Sequence, residues 1–342
     1  MIYVICGPTG VGKTKLSVSL AKHFNGIVVN ADSMQVYKDL NIGTAKVTEE
    51  EKDGVPHLLF DVVSPTKMYT IFDYQRDLRR VIDENKGKDI ILVGGSGLYI
   101  KAGLYDYKFA LEESHKTFDE YSNEELLEMV KKKDSTSDIH VNNRKRLIRK
   151  LNQKEVSLDG DKLLFDAKFI GLTTSREKLY DRINKRVDKM MEDGLLEEVK
   201  SLYDEGIRSK AIMTGIGYKE LYEYFDNKLS LEEAISLIKS RSRHYAKRQY
   251  TWFNNQMDVK WFDVDFDNFK TVNDTYGHQA GDAVLRSFGQ ILRHSIDTDD
   301  IAGRFGGDEF VMFLKEKDTA EAIKCVERVM ELTHTMRAPD GK

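Results

Sequence analysis

Short apolar runs stand at residues 2–6, 26–30 and 88–93, and segments with helical spacing of their apolar positions stand at residues 13–24 and 71–85. Strands that alternate with helices in this way predict a parallel α/β sheet. From residue 111 to about 151 the chain turns polar and charged, with Leu126, Leu127, Leu147 and Leu151 at helical spacing, which predicts a helical insertion. Helices are expected again over residues 175–205 and 230–254, opened by Ser175-Arg176-Glu177-Lys178 and Ser230-Leu231-Glu232-Glu233. A further apolar run at residues 259–264 begins a new strand–helix unit, its helix expected over residues 282–296 on Val284, Leu285, Phe288, Ile291 and Leu292. No Pro-, Gly- or Ser-rich linker precedes that unit.

The chain has 342 residues, more than one domain usually holds, so two or three compact units are expected. With 40% hydrophobic and 32% charged residues it can build a core and is neither disordered nor collagen-like. There is no run of about 18 apolar residues, and Met1 opens directly into a strand-like run that leaves no room for a signal peptide. A soluble, cytoplasmic protein without a membrane partner is therefore expected. Cys6 and Cys325 lack metal-ligand spacing, which excludes a disulfide scaffold and a cysteine zinc site. The net charge of −4 is uneven: residues 265–342 carry 10 Lys+Arg against 15 Asp+Glu, leaving the rest nearly neutral. Within that neutral part, basic residues cluster at 142–150 (NNRKRLIRK) and 239–248 (KSRSRHYAKR), either as phosphate-backbone surfaces or as solvated helix faces.

Gly7-Pro8-Thr9-Gly10-Val11-Gly12-Lys13-Thr14 follows a predicted strand and opens a predicted helix, the context a P-loop requires. Its glycines let backbone N–H groups approach phosphate oxygens, Lys13 adds a cation, and Thr14 can hold Mg²⁺. A nucleotide hydrolase or small-molecule kinase binding ATP is the default reading of such a loop. Against it, the strand ending at Val93 runs into Gly94-Gly95-Ser96-Gly97, where a metal-holding acid would be expected. The acid follows another strand instead, as Asp32, on the same crevice. There it binds metal, accepts a proton or caps the following turn.

These residues, with Asp32-Ser33-Met34-Gln35-Val36-Tyr37-Lys38, Gly43-Thr44-Ala45-Lys46, Pro56-His57-Leu58, Gly94-Gly95-Ser96-Gly97-Leu98-Tyr99, Gly215-Ile216-Gly217-Tyr218-Lys219-Glu220 and the segment from Tyr245 to Phe253, resemble the tRNA dimethylallyltransferase (tRNA isopentenyltransferase) family. The blocks stand in family order and cover residues 1 to about 263. The resemblance implies a P-loop prenyltransferase core at 1–110 and 170–263, and a helical tRNA-binding insertion at 111–169. It implies transfer of a dimethylallyl group from its diphosphate to N6 of the adenine 3′ of the anticodon (position 37), with Mg²⁺ as cofactor and pyrophosphate released. Lys13 and Thr14 would stabilise the leaving group and Asp32 would take the proton. Asp32, Ser33, Met34 and Gln35 would meet a flipped base. Ser96 matches a family Thr that contacts tRNA. Arg146 and Arg149 match family arginines three apart on one helical face. Arg243, Lys247 and Arg248 suit tRNA phosphates of the anticodon stem-loop, whereas Trp252 and Phe253 are expected in the core. His57 and His140 are expected in ordinary hydrogen-bonded roles, with catalytic bases as the alternative. The insertion between Tyr107 and Asn142 is shorter than is common in the family. The enzyme is expected to be a monomer.

The tail, residues 264–342, is similar to something else. Asp265 to Asp282 and Arg304-Phe305-Gly306-Gly307-Asp308-Glu309-Phe310 resemble the GGDEF domain of diguanylate cyclases. The resemblance implies metal ligands at Asp265 and Asp308, and GTP contacts at Asn273, Asp282, Gly306, Gly307 and Glu309. Three absences make cyclase activity unexpected. The opening helix signature is missing, so is the late strand, and the usual Arg-x-x-Asp motif reads Asp297-Thr298-Asp299-Asp300. The tail is expected as a truncated α+β unit, with a GTP or cyclic-dinucleotide signalling module as the alternative. The expected architecture is thus α/β: a P-loop parallel sheet flanked by helices, a helical insertion, and a fused GGDEF-like unit joined near residues 265–270.

Overall fold

The structure is a computed structural model that describes residues 1–109, 117–152, 160–263, 278–306, 309–315, 317 and 319–333. Its elements run β1 (Ile2–Cys6), α1 (Lys13–His23), β2 (Ile27–Asn30), α2 (Glu49–Lys52), β3 (His57–Leu58), α3 (Ile71–Glu84), β4 (Ile90–Val93), α4 (Gly97–Leu104), α5 (Asn123–Lys133) and α6 (Arg144–Asn152). They continue with β5 (Ala167–Thr173), α7 (Arg176–Glu192), α8 (Leu195–Asp204), α9 (Lys210–Thr214), α10 (Tyr218–Phe225), α11 (Leu231–Gln256), β6 (Lys260–Asp263), α12 (His278–Ser295), β7 (Ile301–Gly306), β8 (Glu309–Phe313) and α13 (Thr319–Thr333).

Six strands form one sheet in the order β3-β2-β4-β1-β5-β6, every pairing parallel. The sequence-based expectation of a parallel α/β sheet therefore holds. All five residues of β1 are buried, as a central strand covered on both faces requires. Because the strands are parallel, the carboxyl ends of β1, β2 and β4 deliver Gly7, Ala31 and Gly94 to one edge, where ligands of such sheets bind. β5 went unread in the sequence, although Phe169 to Leu172 is an apolar run. It pairs with β1 in register from Ile2 opposite Ala167 to Cys6 opposite Gly171.

The segment read as one helix over 175–205 is two. Gly194 takes a left-handed φ of 100° and ends the run between α7 and α8, a conformation that a β-carbon would resist. The hydroxyl caps expected from sequence are in place: Ser175 Oγ accepts from Lys178 N–H, and Ser230 forms a reciprocal capping box with Glu233. Contacts divide the chain into two compact units, one of residues 1–69, 80–97 and 166–342, the other of residues 70–79 and 98–165. The smaller unit carries α5 and α6, packed through buried Leu126, Val130, Ile139 and Leu147. Arg144 braces it by donating to the carbonyls of Phe118 and Tyr121.

In the larger unit the tail forms an antiparallel β7–β8 hairpin with α12 and α13. Period-two alternation divides the hairpin's side chains. Ala302, Phe310 and Met312 pack with Phe288, Leu292 and Val329 of the tail's own helices. Ile301 and Phe313, paired across the strands, join the core of the P-loop sheet. Phe313 meets Tyr3 edge-on at 5.3 Å and Phe24 at 6.0 Å. No helix of the described residues is long and apolar enough to cross a membrane.

Candidate active site

The turn out of β1 must bend sharply against β5. Gly7 adopts φ 133°, and a β-carbon there would lie 2.5 Å from the Leu172 carbonyl oxygen. Gly12, also left-handed, ends the loop without a side-chain cap, so the first N–H groups of α1 keep their capacity for an anion. Lys13 folds back over the loop and donates to the carbonyls of Gly7 (3.0 Å) and Pro8 (2.8 Å). Burial lowers its pKa to about 8; Arg186 pushes the same way and Asp32 opposes.

Asp32 lies just past β2. Its Oδ1 accepts the Met34 N–H at 2.8 Å, and its own N–H donates to Asn30 Oδ1 at 2.8 Å. The carboxylate thus caps its turn and also lines the crevice. Ser33 N–H donates to Ser96 Oγ at 2.9 Å, joining the loops after β2 and β4. Gln35 is occupied in holding the next turn, through the carbonyls of Thr44 (2.9 Å) and Ala45 (3.1 Å).

Two cavities open at this edge, of 790 Å³ and 310 Å³. Thr9, Asp32 and Arg186 line both. The larger adds Gly10, Gly12, Lys13 and Thr14, with cations Arg182, Arg186 and Lys189 from α7. The smaller adds Met34, Ile216, Tyr218, Tyr245 and Arg248. Arg186 donates to Thr9 Oγ1 at 3.2 Å, and burial depresses its pKa while Asp32 sustains it. Among the described residues no cluster of three metal-ligating side chains occurs. The Thr14 hydroxyl, on the wall of the larger cavity, suits Mg²⁺, which keeps several waters and takes substrate phosphates as ligands.

Several functional positions escaped the sequence reading. Arg182, Arg186 and Lys189 sit four and three residues apart, a one-face spacing that was open to inspection. Gln249 is 5% exposed; its Oε1 accepts the Thr9 N–H (2.9 Å) and its Nε2 donates to the Gly95 carbonyl (3.0 Å). Glu198 of α8 accepts N–H groups from Asn41 (3.0 Å), Ile42 (2.7 Å) and Gly43 (3.1 Å) and the Tyr218 hydroxyl (2.7 Å). Burial, then the charge of Asp32, pushes the Tyr245 phenol up, and its hydroxyl bonds Ser96 and Gln249.

The remaining expected residues fall as follows. Lys247 and Arg248 are exposed on α11, whereas Arg243 donates to Asn184 Oδ1 at 2.6 Å. Phe253 is fully buried and Trp252 half-buried. In the smaller unit, exposed Arg146 lies 3.9 Å from Asp138, and Arg149 shares α6 with it. His140 Nδ1 accepts the Asn142 N–H at 3.2 Å. His57 Nδ1 meets the Val55 carbonyl at 2.8 Å; burial lowers its pKa, and Nε2 is enclosed without a partner among the described residues. Of the tail set, Asp265, Asn273, Gly307 and Asp308 lie outside the described residues. Asp282, Gly306 and Glu309 are described in backbone only.

Residues 35–256 match the family model described as IPP transferase, and residues 239–340 match that of the diguanylate cyclase GGDEF domain. The chain is similar to the tRNA dimethylallyltransferases of Bacillus mycoides (strain KBAB4), 48% identical, and Bacillus anthracis, 47% identical, each over 284 residues spanning 77% of this chain and 90% of the relative. It resembles the crystal structure of the Bacillus halodurans tRNA isopentenylpyrophosphate transferase, with 43% identity and a TM-score of 0.61 over 82% of this chain and 95% of that one. A eukaryotic dimethylallyltransferase crystallised acting on tRNA is 26% identical, with a TM-score of 0.66 over 97% of this chain and 98% of that one.

Proposed function

We propose, from the premise that this chain belongs to the IPP transferase family, that it transfers a dimethylallyl group from dimethylallyl diphosphate to N6 of the tRNA adenine 3′ of the anticodon. Membership in this family sets aside the kinase alternative. The observation that carries the reading is Asp32, together with Thr9 and Arg186, on the walls of both cavities. The diphosphate lies in the larger cavity, on the N–H groups of the P-loop and α1, with Lys13, Arg182 and Arg186 around it. The adenine enters the smaller one, beside Met34 and Tyr245.

At their junction the N6 lone pair attacks the allylic C1 of the donor. The C1–O bond breaks, its electron pair leaves with pyrophosphate, and the N6 proton passes to the Asp32 carboxylate. Charge accumulates on the departing oxygen, so Lys13, Arg186 and the helix amides bind the transition state more tightly than the ground state. Thr14 would hold Mg²⁺, which adds further charge neutralisation on the leaving group. The hydrogen bond from Met34 N–H fixes the carboxylate that receives the proton. Ser33, Ser96 and the exposed Lys247 and Arg248 would contact tRNA.

Incubation with dimethylallyl diphosphate and unmodified tRNA, followed by nucleoside mass spectrometry, tests this. A dimethylallyl adduct on that adenine is expected, and lost in Lys13→Ala and Asp32→Ala. Full turnover in both variants would sink the assignment.

A further inference from the structure

The turn from Leu40 to Lys46 is closed by its own bonds. Ala45 N–H donates to the Ile42 carbonyl and Lys46 N–H to that of Asn41, both at 2.9 Å, and Thr44 Oγ1 donates to the Leu40 carbonyl at 2.6 Å. These bonds fix its shape and leave its placement against the rest of the unit to be set from outside. Gln35 does part of this through the carbonyls of Thr44 and Ala45. Glu198, more than 150 residues further along the chain, takes the three successive N–H groups of Asn41, Ile42 and Gly43. Successive N–H groups form an anion-binding concavity, and their bonds to a carboxylate are stronger than neutral ones. Both carboxylate oxygens are used: Oε2 accepts from Asn41 and Ile42, Oε1 from Gly43 and the Tyr218 hydroxyl. The turn lies so close to Tyr218 that a β-carbon on Gly43 would stand 2.7 Å from its ring. Compensation of the α8 dipole does not account for Glu198, because exposed Glu197 stands in the same first turn.

Thr44 lines both cavities, as Asp32 does, so the turn borders the place where donor and adenine meet. Ile42 and Ala45 continue it along the larger cavity and Gly43 along the smaller. Glu198 lines neither cavity and acts through the turn. We propose that Glu198 is a positioning residue that sets donor selectivity: by fixing the 41–45 turn it limits the room beside the allylic carbon and keeps C1 aligned with the adenine N6. The inference rests on the prenyl-transfer reading above. A wall that shifts admits a longer prenyl chain and misaligns the shorter one, and a misplacement of about 1 Å can cost about 10²-fold in rate.

The test uses the full chain, unmodified tRNA and an equimolar mixture of dimethylallyl and geranyl diphosphate. Nucleoside mass spectrometry counts the two adducts. Their ratio equals the ratio of kcat/KM for the two donors and is independent of how much enzyme is folded. In Glu198→Gln the amide nitrogen faces N–H donors it cannot accept from. The preference for dimethylallyl is expected to fall by roughly tenfold, the order that a pocket wall supplies against added methylenes, while KM for tRNA stays. Tyr218→Phe removes one of the four bonds and is expected to shift the ratio in the same direction by less; it decides the matter should Glu198→Gln not fold. A merely structural role lowers both adducts alike, and the parent's ratio in folded variant overturns the inference while the prenyl-transfer reading stands. A parent that forms neither adduct sinks that reading and the inference with it.

Discussion

Gln249 offers the sharpest test of how the P-loop is held. In Gln249→Leu the side chain keeps its approximate bulk but can neither accept the Thr9 N–H nor donate to the Gly95 carbonyl, bonds of 2.9 and 3.0 Å. Each orphaned buried group costs about 1–3 kcal/mol. Thr9 borders both cavities, where water can partly replace the lost acceptor, so the lower half of the summed range applies, about 2–4 kcal/mol. For a unit of this size that is a fall of at least about 4 °C in Tm. Released from its anchor, the loop samples geometries that no longer match diphosphate, so KM for dimethylallyl diphosphate should rise while KM for tRNA stays. Thermal melting followed by circular dichroism, and initial rates over a series of donor concentrations, read both effects. A variant with the parent's Tm and the parent's donor KM would refute the reasoning.

Three further outcomes follow from the same geometry. Arg186→Lys keeps the charge but loses the planar donor that reaches Thr9, and kcat for prenyl transfer should fall by roughly 10²-fold; single-turnover rates check this. Lys13 is held at about 8, below its unfolded value, so the folded state sheds its proton first, and this group adds stability as pH rises from about 8 towards 10.5. Across the same window the free enzyme loses the cation that meets diphosphate, so kcat/KM for the donor should decline above pH about 8, and Lys13→Arg should remove that limb of the profile. Phe313→Ala deletes the ring that packs on Tyr3 and Phe24 and should cost about 3–5 kcal/mol of tail docking, seen as faster limited proteolysis of residues beyond 263.

The contrast between Lys13 and Gln249 shows what was legible beforehand. The P-loop, its strand and its helix are contiguous, and their chemistry rests on backbone conformations that Gly7 and Gly12 announce locally. Asp32 was legible because a parallel strand must deliver its next residue to the same edge as the P-loop. Gln249 stands 240 residues from Thr9, and nothing local distinguishes it from a solvated polar residue on a basic helix. Glu198 reads as one more surface carboxylate until the 41–43 turn is folded onto α8. The break at Gly194 was missed because helical spacing persists on both sides of it.

What the sequence alone determined is the local chemistry: strand–helix alternation, hydroxyl caps, a phosphate loop and a carboxylate after β2. Neighbours within a few residues set these features, and periodicity and side-chain type suffice to read them. Only the tertiary structure decided which distant groups complete the site: Arg186 on Thr9 and in the field of Asp32, Gln249 beneath the loop, and Ile301 with Phe313 set into the core of the P-loop sheet. A buried donor, acceptor or ring must find a partner wherever the chain can bring one, and one-dimensional spacing carries no record of that choice.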